Sequence, residues 1–295
     1  MGLPITEKKI WTILDLITWG TEFLTEKSIS DARLNVELML AHVLRFNRIQ
    51  LYTNFDRPLS EDELAQLKLF IKRRLTHEPL QYILGGTEFM GLKFAVDKRV
   101  LIPRADTEIL VETVIEKIKV DFAGEEVINI LEIGTGSGCI AISLAKMIPT
   151  ARIVSIDHSE EALQIAIVNA EANSVADRIT FLKKDFLVEN DFSRKFHCII
   201  SNPPYISNEE YSLLDAEVRE YEPKMALADG KDGLTFYHSI ASRCKINLLD
   251  TGFVAVEHAY NQSDNVQKIF SNNNWKNIKS IKDFGGHFRC VIAGL

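Results

Sequence analysis

The sequence predicts an α/β protein: a doubly wound, mostly parallel sheet preceded by a small N-terminal helical domain and a β-hairpin linker. Three observations carry this. Apolar residues recur at helical spacing as far as about Thr76. A glycine-flanked stretch of alternating residues follows. Beyond Gly124, short apolar runs alternate with helical periods, the pattern of strands joined by crossover helices.

In the first region, from Thr6 onward, Ile10, Ile13, Leu14 and Ile17, then Leu34, Leu38 and Ala41, then Leu64, Leu67 and Ile71 mark helix faces. Ser60 and Glu63 have the spacing of a capping box, in which each side chain bonds the other's backbone N–H. Residues 1–78 are expected to form this domain. With no chemistry-bearing cluster, it reads as a docking module for a macromolecular partner or as a packing unit.

Between Pro79 and Pro103, Gly85-Gly86, Glu88-Phe89-Met90-Gly91 and the alternating Leu92-Lys93-Phe94-Ala95-Val96 predict a hairpin, so 79–103 is expected to link two domains. The second domain, 104–295, opens with a helix over about Asp106 to Lys119, whose apolar face is Ile109, Leu110, Val114 and Ile118. Arg104 and Thr107 stand at its start, either facing a ligand or serving as solvated cap residues.

Strands are predicted at Val127–Ile133, Arg152–Ile156, Arg178–Lys183 and Phe196–Ile200, separated by helices through Ala145 and Asn173, the latter capped by Ser159. After an insertion come a helix near Leu234–Leu248, a strand at Phe253–Val256, a helix near Ser263–Ser271 and two late strands. In sheets of this kind ligands bind beyond the carboxyl ends of the strands, where the polar residues of interest fall.

Composition excludes several classes. Lys+Arg 34 against Asp+Glu 41 gives a net charge of −7, which argues against broad binding to nucleic acid. Cys139, Cys198, Cys244 and Cys290 lie far apart with no C-x-x-C pair, so neither a zinc site nor a disulfide framework is expected. No apolar run approaches the length of a membrane span, and Met1–Lys9 lacks a signal-peptide core or transit pattern. A cytoplasmic protein that binds neither membrane nor metal is the expectation.

The glycine run Gly134-Thr135-Gly136-Ser137-Gly138 follows the first strand of the sheet. Its glycines permit a tight turn that lets the backbone approach a ligand, beside the N–H groups of a helix start. The spacing is G-x-G-x-G, with Cys139 where a dinucleotide fingerprint would need its third glycine. Asp157 ends the second strand, placed to accept both hydroxyls of a ribose; its plainer reading is a helix cap. Asp185-Phe186, at the third strand end, offers an acceptor for an exocyclic amine and an aromatic face for a purine, or else only a surface acid beside a core ring. Together these strand ends describe an adenosine site.

Next to it lies Ser201-Asn202-Pro203-Pro204-Tyr205, directly after the run Phe196–Ile200. Two consecutive prolines fix two φ angles and remove two N–H donors, which leaves carbonyl oxygens free to accept from an amide or amino NH2. Asn202 adds a side-chain carbonyl and Tyr205 a ring that covers a planar group. A sulfonium methyl donor fits such a geometry best.

Leu131-Glu132-Ile133-Gly134-Thr135-Gly136-Ser137-Gly138 and Ser201-Asn202-Pro203-Pro204-Tyr205-Ile206 resemble the release-factor glutamine-N5 methyltransferases, the PrmC/HemK family. Pro79-Leu80-Gln81-Tyr82-Ile83, Ile102-Pro103-Arg104-Ala105-Asp106-Thr107-Glu108, Glu222-Pro223 through Leu227, and Gly233-Leu234 extend the resemblance along the chain. Ala105 stands where the family usually has proline, Phe186 is one of several side chains found at its position, and Gly285-Gly286-His287-Phe288-Arg289 fits the family's closing turn only loosely.

The resemblance implies a class I S-adenosylmethionine-dependent fold and transfer of methyl to the glutamine of the Gly-Gly-Gln loop of class I release factors. It implies Asn202, Pro203 and Tyr205 as catalytic residues, and Pro204 and Arg104 beside them on the substrate. It assigns S-adenosylmethionine to Gly134, Thr135, Gly136, Ser137, Gly138, Asp157, Asp185, Phe186 and Asn202. A monomer acting on a protein is expected. Three rivals remain at this point: the same chemistry on a ribosomal-protein glutamine, adenine-N6 methylation of DNA, whose enzymes share the Asn-Pro-Pro-Tyr motif, and a non-catalytic adenosyl-binding adaptor.

Overall fold

A computed structural model of the chain describes residues 10–189 and 191–295. The expectations for Met1–Lys9, including the Thr6 start of the first helix, lie outside the described residues. The chain divides into two compact units, Met1–Leu84 and Gly85–Leu295.

The first unit is helical: α1 (Ile13–Glu26), α2 (Ala32–Leu44), α3 (Arg48–Thr53), α4 (Glu61–Arg74) and α5 (Leu80–Leu84). Three of these helices begin with a complete capping box, at Thr12/Asp15, Asn47/Gln50 and the expected Ser60/Glu63. Their apolar faces meet in one core that includes Ile13, Ile17, Leu24, Val36, Leu40, Leu67 and Ile71. Within it Glu37, almost fully buried, accepts from Arg33, Arg48 and Tyr52, which offsets the cost of desolvating its carboxylate.

The second unit starts with the hairpin β1 (Gly86–Phe89) and β2 (Leu92–Ala95), then α6 (Ala105–Asp121), β3 (Ile128–Ile133), α7 (Cys139–Met147), β4 (Ala151–Asp157), α8 (Glu160–Ala172), β5 (Ile179–Lys183) and β6 (Phe196–Ser201). Three short helices follow, α9 (Asn208–Tyr211), α10 (Ala216–Tyr221) and α11 (Lys224–Leu227). Then come α12 (Thr235–Arg243), β7 (Leu248–Glu257), α13 (Ser263–Asn272), β8 (Lys276–Lys282) and β9 (Phe288–Gly294).

The seven-stranded sheet has the order β5-β4-β3-β6-β7-β9-β8; β3 to β7 run parallel, and β9 is antiparallel to both its neighbours. Chain order reverses at β3, which has β4 on one side and β6 on the other, and so opens a crevice at the carboxyl ends of these strands. Successive residues of each strand face opposite ways. Ile130, Cys198 and Phe253 pack under α6 and α7, whereas Leu131, Ile199 and Val254 pack against α12 and α13.

The hairpin belongs to this unit rather than to a free-standing linker. Phe89 and Phe94 are buried in the core of the sheet domain, and Asn169 of α8 both donates to the Ala95 carbonyl at 3.0 Å and accepts from its N–H at 2.7 Å. The rest of the expected linker divides: α5 packs with the helical unit, and the chain passes to the sheet unit at Gly85. Among the described residues no helix is long and apolar enough to cross a membrane.

Candidate active site

A cleft of about 400 Å³ opens at the carboxyl ends of β3, β4 and β6. Gly134, Gly136, Asp157, Asp185, Phe186, Asn202, Pro203 and Pro204 all line it, so the strand-end residues chosen from sequence converge as expected. Gly134 and Gly136 have φ of +87° and +53°, which is why glycine is needed in this turn. A Cβ at Gly136 would meet no protein atom within 4 Å, so the backbone here lies open to a ligand.

Asp157 holds this turn. Its Oδ2 accepts from the Gly136 N–H at 2.8 Å and its Oδ1 from the Ser159 N–H, also at 2.8 Å, while Ser159 caps α8. The two readings of Asp157 are thus compatible, because each carboxylate oxygen keeps a lone pair for a ribose hydroxyl. Asp185 accepts from Leu187 N–H and is partly exposed. The Phe186 ring, by contrast, is only 3% exposed and packs into the core under α12, so it closes the cleft wall instead of presenting a free face.

Other expected residues stand behind the cleft. The hydroxyl of buried Thr135 bonds that of Ser155 at 2.6 Å; Ser137 accepts at its carbonyl from Asn169; Gly138, at φ +81°, starts α7 against Ala166. These three shape the turn and do not line the cavity. Nor do Tyr205 and Arg104. Tyr205 packs its ring on the core, with its hydroxyl 3.4 Å from Glu257 Oε1, and Arg104 pairs with buried Glu222 at 2.5 Å. Glu222 also accepts from the Ile102 N–H, so the Arg104 pairing helps anchor the chain ahead of α6 to the chain ahead of α11.

Asn202 is the best-defined group in the cleft. Its Nδ2 donates to the Thr107 hydroxyl at 3.1 Å, which leaves its carboxamide oxygen to the cleft side. Among the described residues no hydrogen bond reaches the Pro203 carbonyl. The loop is fixed further along, where Gln262 donates to the Tyr205 carbonyl at 2.8 Å. Two free acceptors at one loop are what a planar NH2 group requires.

This arrangement agrees with the comparisons. Residues 15–85 match the family model of the PrmC N-terminal domain, and residues 105–220 match that of the methyltransferase small domain. A release factor glutamine methyltransferase of Geobacter sulfurreducens is 40% identical over 288 residues, covering 97% of this chain and 98% of the relative. The chain belongs to the release factor glutamine methyltransferase family. A second member, from Chlorobaculum tepidum, is 42% identical over 241 residues, covering 80% of this chain and 81% of its own. Among solved structures, a methyltransferase from Pyrococcus furiosus superposes with a TM-score of 0.50 at 18% identity, covering 79% of this chain and 99% of its own. The catalytic domain of hMettl16 gives 0.55 at 15%, covering 81% of this chain and 84% of its own; at such identities these two speak for the fold alone.

A buried acid lies beneath the glycine turn. Glu132 is fully buried; its Oε2 accepts from the Ser155 hydroxyl, Oε1 has no partner, and burial pushes its pKa up to about 8. In the unfolded chain the same group titrates near 4.5. Between these values the native state holds a proton that the unfolded state has lost. The stability contribution is therefore full below the lower value and is lost as pH rises through the upper one, at no more than about 1.4 kcal/mol per pH unit. Glu132→Gln should flatten this slope, so the difference in Tm between variant and wild type is expected to change in the variant's favour from pH 5 to pH 9; a constant difference over that range would refute the assignment.

Proposed function

We propose that this protein transfers a methyl group from S-adenosyl-L-methionine to the side-chain amide nitrogen, N5, of the glutamine in the Gly-Gly-Gln motif of class I peptide-chain release factors. The observation that carries the reading is the paired acceptor at the end of β6: the Asn202 carboxamide oxygen beside the unengaged Pro203 carbonyl. Two of the chain's relatives are named release factor glutamine methyltransferase, which supports the release-factor glutamine as the target.

The cleft fits the cofactor by the chemistry of its donor set. Asp157 would take the ribose hydroxyls, Asp185 an exocyclic amine, and the open backbone at Gly134 and Gly136 the close approach of the ligand chain. When bound, S-adenosylmethionine supplies an electrophilic sulfonium methyl. The residues of this chain prepare the nucleophile. A glutamine amide nitrogen is weakly nucleophilic because its lone pair is delocalised into the carbonyl. By accepting one N–H each, Asn202 and Pro203 hold the nitrogen in one orientation and oppose the positive charge that develops on it, at about 1.5–3 kcal/mol per charged hydrogen bond. Fixed orientation adds up to about 7–11 kcal/mol at its ideal limit. No general base is needed, because the methylated nitrogen is acidic enough to release its proton to water.

The same reading makes the enzyme a cytoplasmic monomer acting on a protein, and its net charge of −7 speaks against nucleic acid as the substrate. The helical unit would bind the release factor away from the glutamine and raise the local concentration of the loop. Incubating a purified release factor with enzyme and labelled cofactor, then mapping the modified residue, tests the reading; label on any residue other than that glutamine, or none, overturns it. Deleting residues 1–84 should spare cofactor affinity, because the sheet unit has its own core, and lower methylation of the intact factor steeply. Equal activity in a folded truncated enzyme would remove the docking role.

A further inference from the structure

The loop that carries the paired acceptors has few donors of its own to hold it. Pro203 and Pro204 lack an N–H, so the chain between Asn202 and Tyr205 gains no ladder bond there and its position is set at its ends. At the near end, β6 pairs with β3 and β7 as far as Ser201. At the far end, both edges of the peptide unit joining Tyr205 to Ile206 are engaged. The Tyr205 carbonyl accepts from Gln262 Nε2 at 2.8 Å, and the Ile206 N–H donates to the Leu227 carbonyl at 3.0 Å.

Gln262 is buried immediately ahead of α13, whose Val266 and Phe270 lie in the core. Its Oε1 accepts from the Ala259 N–H at 3.2 Å, which turns its NH2 to Tyr205 and leaves the carboxamide one orientation. Gly233, also buried, covers the same carbonyl from the loop ahead of α12. A Cβ at Gly233 would stand well under 3.0 Å from the Tyr205 oxygen and 2.9 Å from Gln262 Nε2, so a side chain there would break into this hydrogen bond. Gly233 is itself tethered, because Asp229 accepts from its N–H at 2.9 Å and from that of Thr235 at 3.0 Å. Neither Gln262 nor Gly233 has a part in the chemistry proposed above.

We infer that Gln262 and Gly233 are positioning residues for methyl transfer: together they clamp the Tyr205 carbonyl and so hold the direction of the Pro203 carbonyl. The Tyr205 ring, packed on the core, sets where the loop ends but not how its peptide plane is turned. With φ locked at Pro204 and this ring seated, little freedom lies between the two carbonyls, so a displacement of one displaces the other. The acceptor meant for the substrate NH2 would move with it.

This inference rests on the reading of Asn202 and Pro203 as the groups that receive the substrate amide, so one arm of its test needs no turnover. In full-length protein isotope-labelled at tyrosine carbonyl carbons and isoleucine nitrogens, the two labels adjoin only at Tyr82-Ile83 and Tyr205-Ile206. Ile206→Val identifies the second signal by its loss. Gln262→Glu keeps an acceptor for Ala259 and removes the donor to Tyr205. At about pH 8.5, where a glutamate carboxyl is ionised, it should move the Tyr205-Ile206 signal and leave that of Tyr82-Ile83 in place. An unmoved Tyr205-Ile206 signal would overturn the inference whatever the activity.

Two glycines of one turn supply the other arm. Gly233 and Gly230 have nearly the same φ, +81° and +78°, so alanine strains the backbone alike at both, but at Gly230 its Cβ would meet no atom within 4 Å. Gly233→Ala should lower kcat about tenfold, part of the roughly 10²-fold cost of a 1 Å misplacement, with cofactor affinity within about threefold, while Gly230→Ala keeps kcat within about twofold of wild type. Gln262→Glu should lower kcat in the same range as Gly233→Ala. Equal kcat in the two alanine variants, or a Gly233→Ala loss carried by cofactor affinity alone, would also overturn the inference. Either arm decides where a variant of the other does not fold. Failure of the wild-type enzyme to methylate any glutamine would instead sink the functional reading and leave the signal test standing.

Discussion

Asn202→Ala is expected to slow single-turnover methylation of a release factor by about 10²–10³-fold, the loss of roughly 3–4 kcal/mol of transition-state stabilisation that follows removal of one oriented acceptor in a closed site. Alanine takes away the oxygen facing the cleft and leaves one substrate N–H unpaired, while the Pro203 carbonyl continues to hold the other. Cofactor affinity should change far less, because the ribose and amine acceptors, Asp157 and Asp185, belong to β4 and to the loop after β5. Asn202→Asp should also be slow. It restores an acceptor but replaces the NH2 that donates to Thr107 with a second carboxylate oxygen, and it puts a negative charge into the cleft. Near-normal turnover in Asn202→Ala, measured alongside a cofactor titration, would end the proposed role of this loop.

Much of the fold could be read from local pattern because its determinants are local. Strands β3, β4 and β6 are near-continuous apolar runs of the kind a sheet covered on both faces requires, and the caps at Ser60 and Ser159 sit where side-chain spacing places them. Helices α9 to α11, at four to six residues each, are too short to show a period and stayed inside an unassigned insertion. The hairpin could be read as a hairpin but not as part of the sheet unit, since that depends on Asn169, far along the chain, bonding Ala95.

The site divides along the same line. Residues at strand ends, Gly134, Asp157 and Asn202, were legible because parallel sheets put ligands there. The direction of a side chain was not. Tyr205 and Phe186 carry rings suited to cover a ligand, yet tertiary packing turns both towards the core, and Arg104 meets an acid more than a hundred residues away. Glu257 escaped notice because it closes an apolar strand, and its burial beneath the Tyr205 hydroxyl depends on packing across the sheet.

Asp157→Ala should weaken S-adenosylmethionine binding by about 10²-fold or more, since each charge-assisted bond to a ribose hydroxyl is worth about 1.5–3 kcal/mol and both would be lost. The structure adds a second cost. The same carboxylate accepts from the N–H groups of Gly136 and Ser159, so alanine also releases the glycine turn from the start of α8, and the backbone that should meet the ligand loses its fixed position. Asparagine separates the two contributions only in part, because its single oxygen can satisfy one of these N–H donors while its NH2 confronts the other. Asp157→Asn should therefore bind the cofactor weakly too, though better than alanine. Calorimetry on both variants provides the check, with thermal unfolding to confirm that the sheet unit is intact. Unchanged affinity in a folded Asp157→Ala protein would show that neither the ribose contact nor the tethered turn takes part in binding, and the adenosine site would have to be sought elsewhere in the cleft.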